Sequence, residues 1–427
     1  MKNIDIIGGG TLFHVRNHLA LTAPAYGNTA RYLFGNCFEE GADHYNINLH
    51  LTKMANGGQG YLETNEDISK LVDELIVDPN TKIIFFNPAL VDFNAAVIED
   101  EEQGFSFDAP SSNLTKSGKY ETRLKTSAGD QQLLLWPADK IISKIRRERK
   151  DIFLVGFKTT CGATEDEQFL TGLHLLKSSS CNLVLANDTK TRINMIITPE
   201  QARYNVSTDR NEVLNALAKM ALARADSNFT RSTVVEGDSI PWNSHLIPSS
   251  LRVVVDHCIK AGAYKPFNGA TVGHFAVKVN NTDFITSKRK VNFNKLNEVG
   301  MVFCRAEDKN SVIAYGAKPS VGGQSQRIVF KDHPDTDCIV HFHCPPKPGS
   351  KLSVRSQRYF ECGSHECGQN TSQGLKEEVP GIKCVYLDNH GPNIVFNRSM
   401  HPYDVIKFID DNFDLSKSTD GIERKFD

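Results

Sequence analysis

The sequence predicts an α/β protein of two domains, and three observations carry that expectation. Strand-like apolar runs alternate with helical spacing through the first two hundred residues, the pattern of an open α/β sheet. Hydrophobic periodicity then fades in a polar stretch through about residue 249. Beyond it a second pattern begins, a helix followed by short strands separated by Gly, Asn and Asp turns. The length of 427 residues agrees, because a single core rarely grows past about 250–300 residues. Residues 1–225 are therefore expected as one domain, 226–249 as a linker and 250–427 as the other.

In chain order, the runs at 4–7, 82–86, 152–157 and 183–186 supply the expected sheet, and 165–176 has the apolar spacing of a crossover helix. The segment 99–120 is rich in Ser, Asp and Glu and lacks either period, so it is expected as a long surface loop, either covering a site or inserted without a role. A helix is predicted over 211–225 and another over 253–261, with short strands following.

Composition excludes several classes of function. Hydrophobic residues at 40% and charged residues at 23% are ordinary for a folded globular chain. A net charge of -2 offers no field to hold a polyanion, so no nucleic-acid partner is expected. The short basic run Lys288, Arg289 and Lys290 reads as a solvated loop or a phosphate contact. The opening MKNIDIIGGG lacks the length and cleavage site of a signal peptide, and no run of about 18 apolar residues occurs, so a cytoplasmic protein without a membrane partner is expected. Ten scattered cysteines then read as reduced thiols. Cys362 and Cys367 are close, but their spacing is not that of a zinc knuckle.

Gly8, Gly9, Gly10 and Thr11 follow a strand-like run, where small residues either let backbone amides approach a phosphate or make a tight turn. His-Val-Arg at 14–16, NPALVDF at 87–93, Arg123-Leu124-Lys125-Thr126-Ser127, LVGF at 154–157 and LVLAND at 183–188 complete an ordered set. Together they resemble phosphopantothenoylcysteine synthetase over most of residues 1–200. That resemblance implies a Rossmann-like open sheet, a homo-oligomer, and a nucleotide, CTP or ATP with Mg, bound by Gly8, Gly9, Gly10, Thr11, Ala186, Asn187 and Asp188. Lys125 would meet the triphosphate, where a compact cation suits phosphate oxygens; the plain alternative is an exposed lysine. Ala20 stands at the family's Asn of the acyl-nucleotide step, and an alanine side chain makes no hydrogen bond.

The run Asp337-Cys338-Ile339-Val340-His341-Phe342-His343-Cys344-Pro345 carries the strongest chemistry. A strand alternates its side chains, so His341 and His343 share a face and are either a ligand pair for one ion or a hydrogen-bonded polar face. A third histidine, His390, ends a further strand-like run at a turn and favours the ligand reading. FNGATVGHFAV at 267–277, Phe284-Ile285-Thr286-Ser287, Gly316-Ala317-Lys318-Pro319-Ser320, the HFH run, Gly363-Ser364 and the Asn-His-Gly of 389–391 together resemble the class II aldolase and epimerase (adducin-like) family over about 250–415.

This second resemblance implies a class II aldolase-like α/β/α domain. It implies a divalent metal, zinc or a related ion, on His341, His343 and His390, polarising a substrate carbonyl. It implies a phosphate or carboxylate end of a small-molecule substrate held by Asn268, Gly269, Thr286, Ser287 and Ser320, which are otherwise structural turns. The family's acid/base carboxylate falls on Gly322, and glycine cannot move a proton. Candidates to replace it are Glu361, Glu366 and Tyr359, with His365 beside them; exposed charge or support for a ligand are the plainer roles. His274 reads equally as a core, turn or site residue.

Three functions are expected in order: a metal-dependent lyase or isomerase acting on a small phosphorylated or carboxylated sugar-like substrate, with a nucleotide-binding N-terminal domain; a ligase of the phosphopantothenate-cysteine type; and a non-catalytic binding or scaffold protein.

Overall fold

A computed structural model describes residues 1–98, 116–388 and 390–426, with the side chains of 321–324 excepted. Most of the expected loop at 99–120 thus lies outside the described residues. The chain forms two compact units, Met1–Ile197 with Val206–Ala225, and Thr198–Asn205 with Asp226–Asp427.

The first unit is built on an open, mostly parallel sheet. Its strands run in the order Asn194–Ile197, Leu183–Asp188, Phe153–Thr160, Thr81–Ala89, Lys2–Gly10 and Tyr45–Leu51. Only Asn194–Ile197 runs antiparallel to its neighbour among these pairs. Near-continuous apolar runs such as Ile83–Phe86 make these strands, because both faces of a parallel sheet are covered by helices. The helix Glu165–Ser179 extends the expected crossover, and Thr164 and Glu167 close its start as a reciprocal cap. Arg210–Arg224 occupies the place predicted for the helix at 211–225 and starts on Asp209, whose carboxylate accepts from the amides of Asn211 and Glu212.

The second unit carries a mixed sheet ordered Arg231–Val235, Ser311–Tyr315, Val302–Ala306, Asp283–Thr286, His274–Lys278, Cys338–His341, Gly391–Phe396, Ile382–Leu387 and Val354–Arg355. Its central pairs are antiparallel. Arg231–Val235 lies in the stretch read as a linker; it is an edge strand, parallel to Ser311–Tyr315, and largely exposed. The helix Ser249–Lys260 begins four residues before the expected 253–261 and ends one residue short of it, with Ala261 as its C-cap. Residues 203–204 belong to this unit and pair with Glu423–Arg424. Among the described residues, no helix is long and apolar enough to cross a membrane.

Two apolar clusters flank the mixed sheet and explain how its central strand is read. Cys338, Val340, Phe342 and Cys344 enter one cluster with Tyr264, Phe275 and Phe413. Ile339 enters the other, with Ala276, Val385 and Val395. The alternation leaves His341 and His343 on the Ile339 side, where the polar site lies.

Candidate metal centre

His341 ends the strand Cys338–His341, His343 follows two residues on, and His390 lies in the turn between Ile382–Leu387 and Gly391–Phe396. That turn needs a glycine after the histidine. Gly391 has φ 144°, and a Cβ there would stand 2.0 Å from the Phe342 carbonyl oxygen. The close approach brings His390 beside the other two. One nitrogen from each histidine lies within 4.8 Å of the others, and all three side chains are buried. The structure thus brings together the three ligands expected from sequence.

Each ring is held by its far nitrogen. His341 Nδ1 donates to the Pro392 carbonyl at 2.8 Å, His343 Nδ1 to the Asp420 carboxylate at 2.8 Å, and His390 Nδ1 to Gln357 Oε1 at 2.7 Å. A carbonyl or carboxylate oxygen can only accept, so each Nδ1 carries the proton and each Nε2 of the neutral ring presents a lone pair. Two of these, on His341 and His390, face one another at 3.2 Å. Burial first, and the neighbouring His274 and His343 next, push the His341 pKa well below the ordinary histidine value, so a proton is a poor occupant of that gap. A divalent cation fits it: metal–nitrogen bonds of about 2.05 Å at tetrahedral angles put ligand nitrogens about 3.3 Å apart.

The backbone around the triad is pinned as well. Thr419 donates its hydroxyl to the His390 carbonyl at 2.7 Å and its amide to the His343 carbonyl at 3.1 Å. Next in sequence, Asp420 holds the His343 ring. His274, opposite His341 across the sheet, stacks on it with ring centroids 4.7 Å apart. Burial, and then His343, push the His274 pKa down to about 3, so it stays neutral, and Gln326 donates to its Nδ1. Sequence reasoning misses Gln357, Asp420 and Thr419 because their roles arise only from folding. Cys362 Sγ stands 3.8 Å from His390 Nε2, whereas Cys367 packs into an apolar cluster, so the two cysteines do not act as a pair.

The remaining expected residues of this unit are placed as follows. Asn268 and Gly269 form the two-residue turn of the hairpin Pro266–Phe267 and Ala270–Thr271, both with positive φ. Thr286 donates to the Phe275 carbonyl at 3.2 Å, and the Ser320 amide donates to the Ser287 carbonyl at 3.0 Å. Ser287 therefore adjoins the start of the helix Val321–Asp332, for which Ser320 is the N-cap residue. Gly322 is in the first turn of that helix. Glu361 is buried, one residue before Cys362. Burial works to raise the Glu366 pKa, but bonds from the Asn228 side chain and amide win and hold it below the usual carboxylate range. His365 bonds Thr230 Oγ at 2.8 Å, and Tyr359 is exposed with its ring against Phe426.

In the first unit, Gly8, Gly9 and Gly10 end the strand Lys2–Gly10 and pack tightly; a Cβ on Gly8 would meet Ala30 Cβ at 2.3 Å. The Thr11 hydroxyl donates to Asn65 Oδ1 at 2.7 Å and accepts from the Val91 amide at 3.0 Å. Lys125 is exposed. Ala186 is buried, and Asn187 accepts from Thr159 Oγ at 3.2 Å. Asp188 accepts from the amides of Gly162, Ala163, Lys190 and Thr191 and from Thr160 Oγ. Burial opposes its charge, but these donors hold its pKa well below the usual carboxylate range. Ala20 is exposed and pairs with His14 in the hairpin of Leu12–Arg16 and Leu19–Thr22.

Residues 253–346 match the family described as Class II Aldolase and Adducin N-terminal domain. No curated protein is significantly similar to the chain. Among solved structures, the DNA/pantothenate metabolism flavoprotein from Streptococcus pneumoniae is 19% identical over 52% of this chain and 97% of its own, with a TM-score of 0.43. The C-terminal domain of the coenzyme A biosynthesis bifunctional protein CoaBC is 14% identical over 52% of this chain and 92% of its own, at 0.33. L-fuculose 1-phosphate aldolase is 17% identical over 39% of this chain and 85% of its own, at 0.29.

Proposed function

We propose that the second unit is a metal-dependent lyase or isomerase of the class II aldolase type, acting on a small phosphorylated or carboxylated sugar-like substrate. The observation that carries this reading is the convergence of three Nε2 lone pairs whose Nδ1 protons are already committed to Pro392, Gln357 and Asp420. When bound, a zinc or related ion supplies Lewis acidity toward a carbonyl or hydroxyl oxygen. The chain's own residues do the rest. Asp420 and Gln357 orient the rings, and the buried walls restrict water. Ser287, Ser320 and the Asn268–Gly269 turn offer hydroxyls and amides to the anionic end of the substrate. Glu361, buried beside Cys362, takes the proton-carrying role that Gly322 cannot fill. Glu366, committed to Asn228, is the weaker candidate.

The first unit, on this reading, binds a nucleotide such as CTP or ATP with Mg at the carboxyl ends of its parallel strands, where Gly8–Gly10 and Asn187–Asp188 lie. The deciding experiment measures metal content and cleavage of a panel of ketose phosphates by the wild type and by His341→Ala, His343→Ala and His390→Ala. Metal and turnover should vanish together. Turnover persisting in metal-free protein refutes the reading. Release of pyrophosphate from CTP or ATP with phosphopantothenate and cysteine would instead establish ligase activity in the first unit, despite Ala20.

A further inference from the structure

We propose that Cys362 is a fourth protein ligand of the resting ion, making a three-nitrogen, one-sulfur site to which a substrate oxygen adds as a fifth ligand; this rests on the metal reading above. Its Sγ lies 3.8 Å from His390 Nε2. On one tetrahedral ion, with bonds of about 2.05 Å to nitrogen and about 2.3 Å to sulfur, the two ligand atoms stand about 3.6 Å apart. The His341 and His390 nitrogens, at 3.2 Å, have the spacing expected of two nitrogens on the same ion. Each separation suits two ligands of one ion; the three histidine nitrogens already lie within 4.8 Å of one another, and the Cys362 side chain closes onto that group as the ion binds.

The segment that carries Cys362 is shaped around His390. Gln357 Oε1 accepts a hydrogen bond from Nδ1 at 2.7 Å, and five residues later Cys362 reaches the Nε2 side of the same ring. Two turns return the chain: the Phe360 amide donates to the Gln357 carbonyl at 2.9 Å, and the Ser364 amide to the Glu361 carbonyl at 3.1 Å. Gly363, at φ 80°, and Ser364, whose hydroxyl accepts from the Cys367 amide at 3.0 Å, then start the helix His365–Gly374. Cys362 is half-buried at the polar site. The other thiols of this unit, Cys258, Cys304, Cys338, Cys344, Cys367 and Cys384, are buried in the apolar clusters.

Ligation replaces the Sγ–H bond with a sulfur–metal bond and releases the proton to solvent. The sulfur brings one negative charge to an ion otherwise bound by three neutral rings. A soft thiolate also biases the site toward zinc or cobalt and away from manganese or magnesium.

Loading the metal-free full chain with cobalt(II) tests this. The wild type should show visible d–d bands of a low-symmetry site together with a near-ultraviolet thiolate-to-cobalt charge-transfer band. Cys362→Ser should lose the charge-transfer band and keep the d–d bands, while Cys367→Ser should keep both. X-ray absorption of the zinc-loaded wild type needs no variant and should find a sulfur scatterer at about 2.3 Å. Cobalt uptake without the thiolate band, its persistence in Cys362→Ser, or a nitrogen- and oxygen-only zinc shell overturns Cys362 alone. Failure to take up cobalt or zinc overturns the triad reading and this one together.

Discussion

Replacing Asp420 should weaken metal binding without unfolding the protein. The carboxylate accepts from His343 Nδ1 at 2.8 Å, with the aspartate 19% exposed and the histidine 6%. The bond fixes which ring nitrogen is protonated, sets the ring's direction, and raises the donor strength of Nε2. Removing such an outer partner costs about 10- to 100-fold in affinity, which converts to roughly 1.4–2.7 kcal/mol. Asp420→Ala deletes acceptor and charge together and should fall near the upper end. Asp420→Asn keeps an acceptor oxygen but loses the charge, and should sit near tenfold. Competition with a chromophoric zinc chelator at neutral pH reads the affinity, and urea unfolding of the metal-free protein checks that the fold is intact. A metal-free Asp420→Ala protein as stable as wild type, yet binding zinc within twofold of it, would refute the argued role of this hydrogen bond.

Other outcomes follow from the same geometry. Gln357→Leu removes the acceptor of the His390 proton and should lower zinc affinity about tenfold in the same titration. Gly391→Ala combines a left-handed backbone with a Cβ pressed on the Phe342 carbonyl, and should lower folding stability by about 2–5 kcal/mol in urea unfolding. Asp188→Asn should destabilise the first unit at neutral pH. Because folding depresses the Asp188 pKa, its contribution is full above the unfolded value of about 3.9 and is lost as pH falls toward the folded value. The gap between wild type and Asp188→Asn in denaturant midpoint should thus be constant down to about pH 4 and narrow below it; a gap widening in acid would contradict the assignment.

The parts of the molecule readable from sequence are those written in a local period. Apolar strand runs and the crossover helix emerge from spacing alone, and alternation in 338–344 is enough by itself to place His341 and His343 on one face. Arg231–Val235 is not legible in this way because an exposed edge strand has no buried face to leave a pattern. Asp420 and Gln357 carry no local mark either: they lie 77 and 33 residues from the histidines they orient, and only the tertiary fold joins them. The different settings of Cys362 and Cys367 carry no mark in sequence: Gly363 and Ser364 start a helix between them, turning one thiol to the polar site and the other into the core.

The two-sided strand at 338–344 also constrains how this protein can change across generations. Conservative substitution at any one position disturbs one side chain, and its neighbours can adjust. Deleting or inserting a single codon upstream within the strand would exchange its faces, driving both imidazoles into the apolar cluster and turning Val340 and Phe342 toward the polar site. Descendants of this gene can therefore drift in residue identity along this stretch far more freely than in its length.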